Sequence, residues 1–387
     1  MATMRGSARL FRTVRPAFSQ GQRRLASTGS GAGAKSWRPL VLGAMTAGVG
    51  AFGAYKYVWD DRKDMIKDLQ SLAPQPVHAA NAPEAQPSVW SGGKNNALYL
   101  WIHLKPTANT KEVAKVAAKL QKFVDQVVDP KMKDEDDEVL AGVGFGPNFY
   151  KQTGGSVKQD YTFAHRKGSL GDMPSSGGDV FFHAKCNTQS KLFELAQLLM
   201  KNMPAGSVDQ AEDIYSFVFK NGRDMSGFID GTENPADDES RQAVAVEPST
   251  GGSYVITQKW IHDFKVIDSE KEKTTEAWVG RTRADSMELS RKSITSHVAR
   301  MTGGNAYNQK KKFEMVRQSM PFGTVTGEAG LFFIGYCASP DNLNFMVDRM
   351  VGAGGDGHSD DIMRLTRNSK GTYWYFPGAA ELQKLSN

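Results

Sequence analysis

The sequence predicts an α+β protein in which one ferredoxin-like unit occurs twice. Between residues 95 and 222, strand-like and helix-like segments follow one another in the order β-α-β-β-α-β, which defines that unit. The same order returns between residues 250 and 380. We therefore expect a folded region over residues 92–387 with two similar halves and enough chain to bury a large core.

The first half opens with Ala97–Leu104, whose aromatic and branched side chains favour a strand. Asn109 is suited to cap a helix from Thr110 to about Val128, in which apolar residues recur at helical spacing. The other elements predicted in this half are the strands Val139–Phe145, Asp179–Cys186 and Asp213–Lys220 and the helix Ser190–Asn202.

The second half repeats the pattern, and Ser339 followed by Pro340 marks the start of its second helix. Its predicted strands are Ser253–His262, Phe313–Pro321, Leu331–Cys337 and a terminal Trp374–Pro377; its predicted helices are Asp268–Trp278, continuing toward Arg283, and Ser339–Met350. This element order by itself indicates only the α+β class.

Residues 1–34 have the composition of a mitochondrial transit peptide. Through Thr28 this segment contains six arginines and three serines but no acidic residue, and its apolar residues can share one helical face. The alternative is a disordered basic tail that binds anionic surfaces.

Residues 37–59 are predicted to form a single transmembrane anchor. The 17 residues from Pro39 to Tyr55 carry no charge, and aromatic residues stand at both ends of the segment. The alternative is an alanine-glycine linker. Residues 60–91 then suggest a short helix and a Pro/Ala linker. Together these segments predict a mitochondrial inner-membrane protein whose folded region faces the intermembrane space.

The charge distribution argues against nucleic-acid binding. The net charge is +6, but residues 1–59 contain nine Lys or Arg residues and no acid, so the remainder carries −3. Only Cys186 and Cys337 occur, and they lie far apart in predicted strands, which indicates buried core residues and no disulfide framework.

The segment Met225–Pro235 carries the strongest functional signal, with the sequence Met-Ser-Gly-Phe-Ile-Asp-Gly-Thr-Glu-Asn-Pro. Glycines near Asp230 permit positive φ angles, and the apolar pair Phe228 and Ile229 suggests that the carboxylate enters a partly desolvated pocket. A carboxylate in such a place needs a partner or a function. The alternative is an ordinary Asp-Gly turn between two strands.

Three further motifs follow in the chain: Val279–Leu289, Ser296–Val298 and Arg317–Gly323. With Gly227–Pro235 they resemble the dye-decolourising peroxidases, haem peroxidases of the dimeric α+β-barrel superfamily. The resemblance extends from about Asn95 to Pro377. It implies that the two halves pack sheet to sheet as a barrel.

The resemblance also implies an activity. A haem-dependent peroxidase of this family reduces hydrogen peroxide and oxidises an organic or protein electron donor through a ferryl intermediate. It implies one haem b per chain with its iron ligated by His297; no Cys-x-x-Cys-His segment occurs that would attach haem covalently. Asp230 would act as the proton shuttle and Arg317 as the electrostatic clamp on the distal side. Ser319 would join their hydrogen-bond network, where some relatives have Asn.

Further residues are expected around the cofactor. By their place in the motif, Ile229, Gly231, Thr232 and Glu233 would line the haem edge. Arg281 and Arg300 are candidates to bind the haem propionates. Asp361 is the expected hydrogen-bond acceptor for the second ring nitrogen of His297, with Asp360 as the alternative.

Two other functions remain open on the sequence alone. The chain could be a haem-binding or haem-handling protein whose peroxidase activity is incidental, or a structural subunit of a membrane complex that kept the fold. The expected partners are hydrogen peroxide, an unidentified electron donor, the mitochondrial membrane and further copies of the chain.

Overall fold

The strands of both halves join in one closed antiparallel sheet. The computed structural model describes residues 83–128, 137–302 and 314–386. Within these ranges the strands are β1 Asn96–Leu104, β2 Leu140–Phe145, β3 Val180–Cys186, β4 Val208–Phe217, β5 Ser253–His262, β6 Val316–Arg317, β7 Met320–Gly323, β8 Ala329–Cys337 and β9 Thr366–Phe376.

Each half has the strand order of a ferredoxin-like unit. The first half runs β4-β1-β3-β2 and the second runs β9-β5-β8-β7, with β6 extending the β7 edge along β8. The halves meet where Phe145 on β2 pairs with Tyr375 on β9 and where Ser216 on β4 pairs with Phe322 on β7. These two junctions close an eight-stranded barrel, which confirms the predicted α+β fold of two ferredoxin-like halves.

Successive side chains on each strand point alternately into and out of the barrel, as the period of two requires. On β1, Tyr99 and Trp101 belong to the cluster that fills the barrel, whereas Leu98 and Leu100 belong to the larger core outside it. The described helices are α1 Pro87–Trp90, α2 Thr110–Ala117, α3 Leu120–Val127, α4 Pro147–Gln152, α5 Gln189–Asn202, α6 Asp238–Ala245, α7 Phe264–Ser269, α8 Glu272–Val279, α9 His297–Thr302, α10 Pro340–Val351 and α11 Ala379–Lys384.

Some elements differ from their predicted extent. The helix predicted from Thr110 to Val128 divides into α2 and α3, and the one predicted toward Arg283 ends at Gly280, whose φ of 93° terminates α8. The last strand begins at Thr366, well before the predicted Trp374, because it pairs with β5 over ten positions.

The folded region begins before the predicted boundary at residue 92. Gln86 is buried, and its side chain bonds both backbone groups of Val143 and the carbonyl of Pro377. Val89 on α1 is buried in the barrel cluster. The end of the predicted linker 60–91 is therefore part of the domain, because these residues contact strands from both halves.

The predicted transit peptide (1–34), the predicted anchor (37–59) and most of the predicted linker lie outside the described residues. Among the residues that are described, no helix is long and apolar enough to cross a membrane.

Candidate active site

A cavity of about 230 Å³ lies on the outer face of the second half of the barrel. One wall consists of outward-facing residues of β5 and β8, and the opposite walls are α9, α10 and the segment around Asp230. Most of the lining is apolar, including Ile256, Val298, Met301, Leu331, Phe333, Met346, Val347, Met350, Ile362 and Leu365. The cavity therefore suits a flat, largely apolar ligand with a few polar contacts.

His297 is the first residue of α9 and lines this cavity. Its Nδ1 atom is 2.8 Å from Oδ2 of Asp360, whose side chain is fully buried. The other carboxylate oxygen of Asp360 accepts a hydrogen bond from the backbone N–H of Ile362, which fixes the carboxylate. Since Nδ1 is bonded to Asp360, Nε2 is the nitrogen available to a metal.

The prediction that Asp361 accepts this hydrogen bond is wrong, and the alternative Asp360 takes that place. Asp361 instead accepts hydrogen bonds from the hydroxyl of Thr295 and from Nε of Arg364. Adjacent residues at the start of a 3₁₀ turn direct their side chains differently, so only one of the two carboxylates reaches the imidazole.

Asp230 lines the same cavity, in a turn where Gly227 and Gly231 have φ angles of 92° and 78°. The Gly231 N–H donates to Oδ1 of Asp230 at 2.7 Å. Solvent can reach the carboxyl through the cavity, but the protein packed around it raises the pKa of Asp230; the nearby Arg317 opposes this effect and Asp224 adds to it. A carboxyl with a raised pKa is suited to take up and return a proton.

The backbone of Arg317 is fixed by Asn234, a residue that our sequence analysis did not select. The Asn234 side chain accepts a hydrogen bond from the Arg317 N–H at 2.9 Å and donates to the Arg317 carbonyl at 2.7 Å. Asn234 thus makes the two backbone hydrogen bonds that a neighbouring strand would make, at the point where β6 ends. Its place in the Asp230 motif was the one sequence signal that could have identified it.

A second cavity of about 250 Å³ meets the first one. The residues that line both cavities are Asp224, Asp230, Gly231 and Arg317. The second cavity is also lined by His183, Lys185, Gln318 and Ser319. Asp230 and Arg317 therefore stand between a mostly apolar cavity and a more polar one.

Ser319 lies on the polar side of this boundary. Its hydroxyl accepts a hydrogen bond from the Ile334 N–H at 3.3 Å, and it lines the second cavity together with Arg317. The strand predicted across this region is interrupted between β6 and β7, so simple alternation does not describe the relation between Arg317 and Ser319.

Most of the residues predicted to line the haem edge or to bind its propionates lie at the first cavity. Ile229, Gly231, Thr232, Glu233 and Arg281 all line the first cavity. The Arg281 guanidinium donates to the Ser286 carbonyl at 2.8 Å and forms ion pairs with Glu233 and Glu288.

Arg300 does not fit its predicted role as a propionate ligand. It is fully buried, pairs with Asp356 at 2.5 Å and donates to the Arg349 carbonyl at 3.0 Å. It is not among the lining residues of either cavity. The spacing of three from His297 brings its backbone near the site, but its side chain turns to the contact between α9 and α10.

A second His–carboxylate pair lines the first cavity and had no signal in the sequence. His262, at the end of β5, has Nε2 2.9 Å from Oδ1 of Asp224 and Nδ1 3.0 Å from the hydroxyl of Thr366. The Asp224 carboxylate also accepts from the N–H and hydroxyl of Ser226. Burial would raise the pKa of Asp224, but the interaction with His262 and the hydrogen bonds from Ser226 together lower it. Asp224 therefore presents a negative charge close to Asp230.

The barrel, the carboxylate-bonded imidazole and the presence of Asp230 and Arg317 at the same cavity are features expected of the haem-peroxidase class. Residues 97–213 match the family described as "Dyp-type peroxidase, N-terminal", and residues 221–381 match "Dyp-type peroxidase, C-terminal". The chain belongs to the Dyp-type peroxidases, a family of oxidoreductase enzymes.

Individual relatives agree with this membership. A dye-decolorizing peroxidase of Mycobacterium tuberculosis is 31% identical over 224 residues, covering 56% of this chain and 66% of the relative. A dye-decolorizing protein from V. cholerae superposes with a TM-score of 0.70 at 28% identity, covering 78% of this chain and 99% of that one. A Rhodococcus jostii DypB variant solved in complex with heme has a TM-score of 0.70 at 25% identity, covering 79% of this chain and 100% of that one.

These comparisons overturn the predicted location in the mitochondrial inner membrane. The relatives are bacterial dye-decolorizing peroxidases, and one structural neighbour is an encapsulated peroxidase from Mycobacterium smegmatis. The prediction rested on the composition of the first 59 residues, which lie outside the described part of the chain.

Proposed function

We propose that the protein is a haem-dependent peroxidase that reduces hydrogen peroxide and oxidises an organic or protein electron donor. The observation that carries this proposal is that His297, hydrogen-bonded to the buried Asp360, lines the same cavity as Asp230 and Arg317. The proposed cofactor is one non-covalently bound haem b per chain. The donor and the homo-oligomer that the family resemblance implies stay predictions.

The residues of the cavity fit a haem. In the described ranges no three His, Cys, Asp or Glu side chains form a group that could hold a metal ion. Both ring nitrogens of His262 are bonded, so His297 offers the ring nitrogen that would hold a haem iron. The apolar walls match the porphyrin faces, and Arg281 supplies a cation at the cavity edge for a propionate.

Haem, when bound, supplies the redox chemistry at iron that a peroxidase requires. His297 would hold the iron through Nε2, while Asp360 fixes the orientation of the ring and makes it a stronger donor. Because Asp360 is fully buried and also bonded to Ile362, the imidazole cannot easily rotate away from it.

In the activation of peroxide, Asp230 would accept a proton from one peroxide oxygen and return it to the other. Arg317 would stabilise the negative charge that develops as the O–O bond breaks, and a guanidinium keeps its charge even in a dry site. Asn234 would hold Arg317 in place through two backbone hydrogen bonds. The second cavity would offer hydrogen peroxide a polar approach to this pair.

The proposal is tested by absorption spectroscopy of the full chain loaded with haem, before and after one equivalent of peroxide. His297→Ala should lose the wild-type Soret band, and His165→Ala, at an exposed histidine elsewhere, should keep it. Asp230→Asn and Arg317→Leu should keep haem but lose peroxide turnover. If both variants turn over at the wild-type rate, the protein is a haem-binding or haem-handling protein with incidental activity.

A further inference from the structure

A histidine and a tyrosine form a buried hydrogen-bonded pair inside the barrel, next to the distal side of the proposed site. His183 on β3 and Tyr336 on β8 are both almost completely buried. The Nδ1 atom of His183 is 2.6 Å from the Tyr336 hydroxyl oxygen. Two buried titratable side chains this close can pass a proton between them, which core packing alone does not require.

The pair lies directly behind the residues proposed to activate peroxide. Tyr336 is paired across the sheet with Val316, and its neighbour Gly335 is paired with Arg317. Opposite residues in a sheet share a face, so Tyr336 points into the barrel while Arg317 is directed to the other side. Tyr336 and the Arg317 side chain therefore lie on opposite faces of the same sheet. His183 itself lines the second cavity.

The surroundings keep both partners neutral at rest. Burial raises the pKa of Tyr336 well above its usual range, so the phenol does not ionise by itself. Burial, with a smaller effect of the nearby Lys185, lowers the pKa of His183 well below its usual range. A neutral imidazole has one unprotonated ring nitrogen, and at 2.6 Å Nδ1 is placed to accept the phenolic hydrogen.

We infer that Tyr336 and His183 form a redox-active pair that stores one oxidising equivalent of the peroxidase reaction. One electron leaves the Tyr336 phenol for the peroxide-oxidised centre, the phenolic O–H bond breaks, and its proton passes to Nδ1 of His183. An electron from the donor later restores the phenol, and the same proton returns. The inference rests on the proposed peroxidase function, which supplies the oxidant.

The geometry favours this step for two reasons. An oxidised phenol is far more acidic than a resting one, so even a histidine with a lowered pKa can take its proton over one short hydrogen bond. The radical would also be shielded, because Tyr99 stacks on the His183 ring at 5.0 Å and Phe376 packs edge-on against Tyr336 at 5.4 Å. Tyr99 in turn donates its hydroxyl hydrogen to the carbonyl of Gln318, the residue after Arg317.

The experiment mixes the haem-loaded full chain with one equivalent of hydrogen peroxide, freezes it within milliseconds and records electron paramagnetic resonance spectra. Wild type should give a tyrosyl signal that narrows when ring-deuterated tyrosine is incorporated. Tyr336→Phe should lose this signal while the Soret band responds to peroxide at the wild-type rate. Tyr161→Phe, at a buried tyrosine that donates to the Phe145 carbonyl, should keep the signal.

A second variant guards against misfolding of the first. His183→Gln retains a hydrogen-bond acceptor but not a base, so it should also lose the signal. Before peroxide is added, nitrogen NMR of the haem-free chain should show His183 neutral with its proton on Nε2. A Soret response together with an unchanged tyrosyl signal in Tyr336→Phe overturns the inference alone. A wild-type Soret band that ignores peroxide overturns the proposed function and this inference with it.

Discussion

The Nδ1 atom of His297 is 2.8 Å from Oδ2 of Asp360, a carboxylate that solvent does not reach. A carboxylate in that position would be costly if it had no partners, because burial disfavours its charge. It is bonded instead to His297 and to the backbone N–H of Ile362. The pair therefore both orients the imidazole and anchors the turn that precedes β9.

Asp360→Asn should weaken haem binding by about 10- to 100-fold, the usual effect of losing a partner behind a metal-bound histidine. Asparagine has one acceptor oxygen and cannot serve both His297 and Ile362. The dissociation constant is measured by titrating haem and following the Soret band. Asp361→Asn is the matched control, since that side chain bonds Thr295 and Arg364. Equal losses in the two variants would contradict the assignment of Asp360.

Asn234→Ala should slow the reaction with peroxide by roughly 10- to 100-fold while haem binding stays at the wild-type level. Both of its hydrogen bonds hold the backbone of Arg317, and a small misplacement of a catalytic group is costly. Stopped-flow absorbance measures the rate. Asn202→Ala, at an exposed position at the end of α5, should leave the rate unchanged. A normal rate in Asn234→Ala would show that Arg317 keeps its position without this contact.

The sequence was informative where local chemistry decides structure. Motif residues such as Asp230, Arg317 and His297 do meet at one cavity, and the strand patterns recover both halves of the barrel. The contact between Phe145 and Tyr375, which closes the barrel, joins residues 230 positions apart and has no local signature.

Side-chain direction was the least predictable property of the site. Asp360 and Asp361 are adjacent, and Arg300 follows His297 by three residues. Only contacts with distant segments decide that Asp360 reaches His297 and that Arg300 turns to Asp356. The pair of Asp224 and His262 illustrates the same limit, because its members come from a turn and a strand 38 residues apart.

Asp224→Asn should shift the acid limb of the peroxide reaction to lower pH. Burial is the main cause of the raised pKa of Asp230, and the neighbouring charge of Asp224 adds to it. Below that pKa Asp230 is protonated and cannot accept the peroxide proton, so the rate falls as pH falls through it. Removing the charge of Asp224 lowers the pKa of Asp230 and extends activity toward acid.

The measurement is kcat/KM for peroxide as a function of pH. Asp125→Asn, which removes an exposed charge on α3, is the control and should reproduce the wild-type profile. An unshifted acid limb in Asp224→Asn would mean that Asp230 does not set it. Asp230 changes the stability of the fold with pH in the direction opposite to a paired carboxylate. Because its pKa is raised in the folded protein, its contribution to stability is lost as pH rises through that pKa.

Gln86→Ala should lower the free energy of unfolding by about 2 kcal/mol or more. Its amide bonds the N–H and C=O of Val143 and the carbonyl of Pro377, and each buried backbone group left unpaired costs about 1–3 kcal/mol. Urea denaturation measures the change. Gln121→Ala removes an exposed glutamine whose amide bonds only Asp125 among the described residues, and it should cost within about 0.5 kcal/mol.

Since Gln86 ties the segment before β1 to both halves, a chain that starts at residue 92 should lose at least as much stability as Gln86→Ala. Equal stability of chains starting at residues 83 and 92 would contradict this view of the domain boundary.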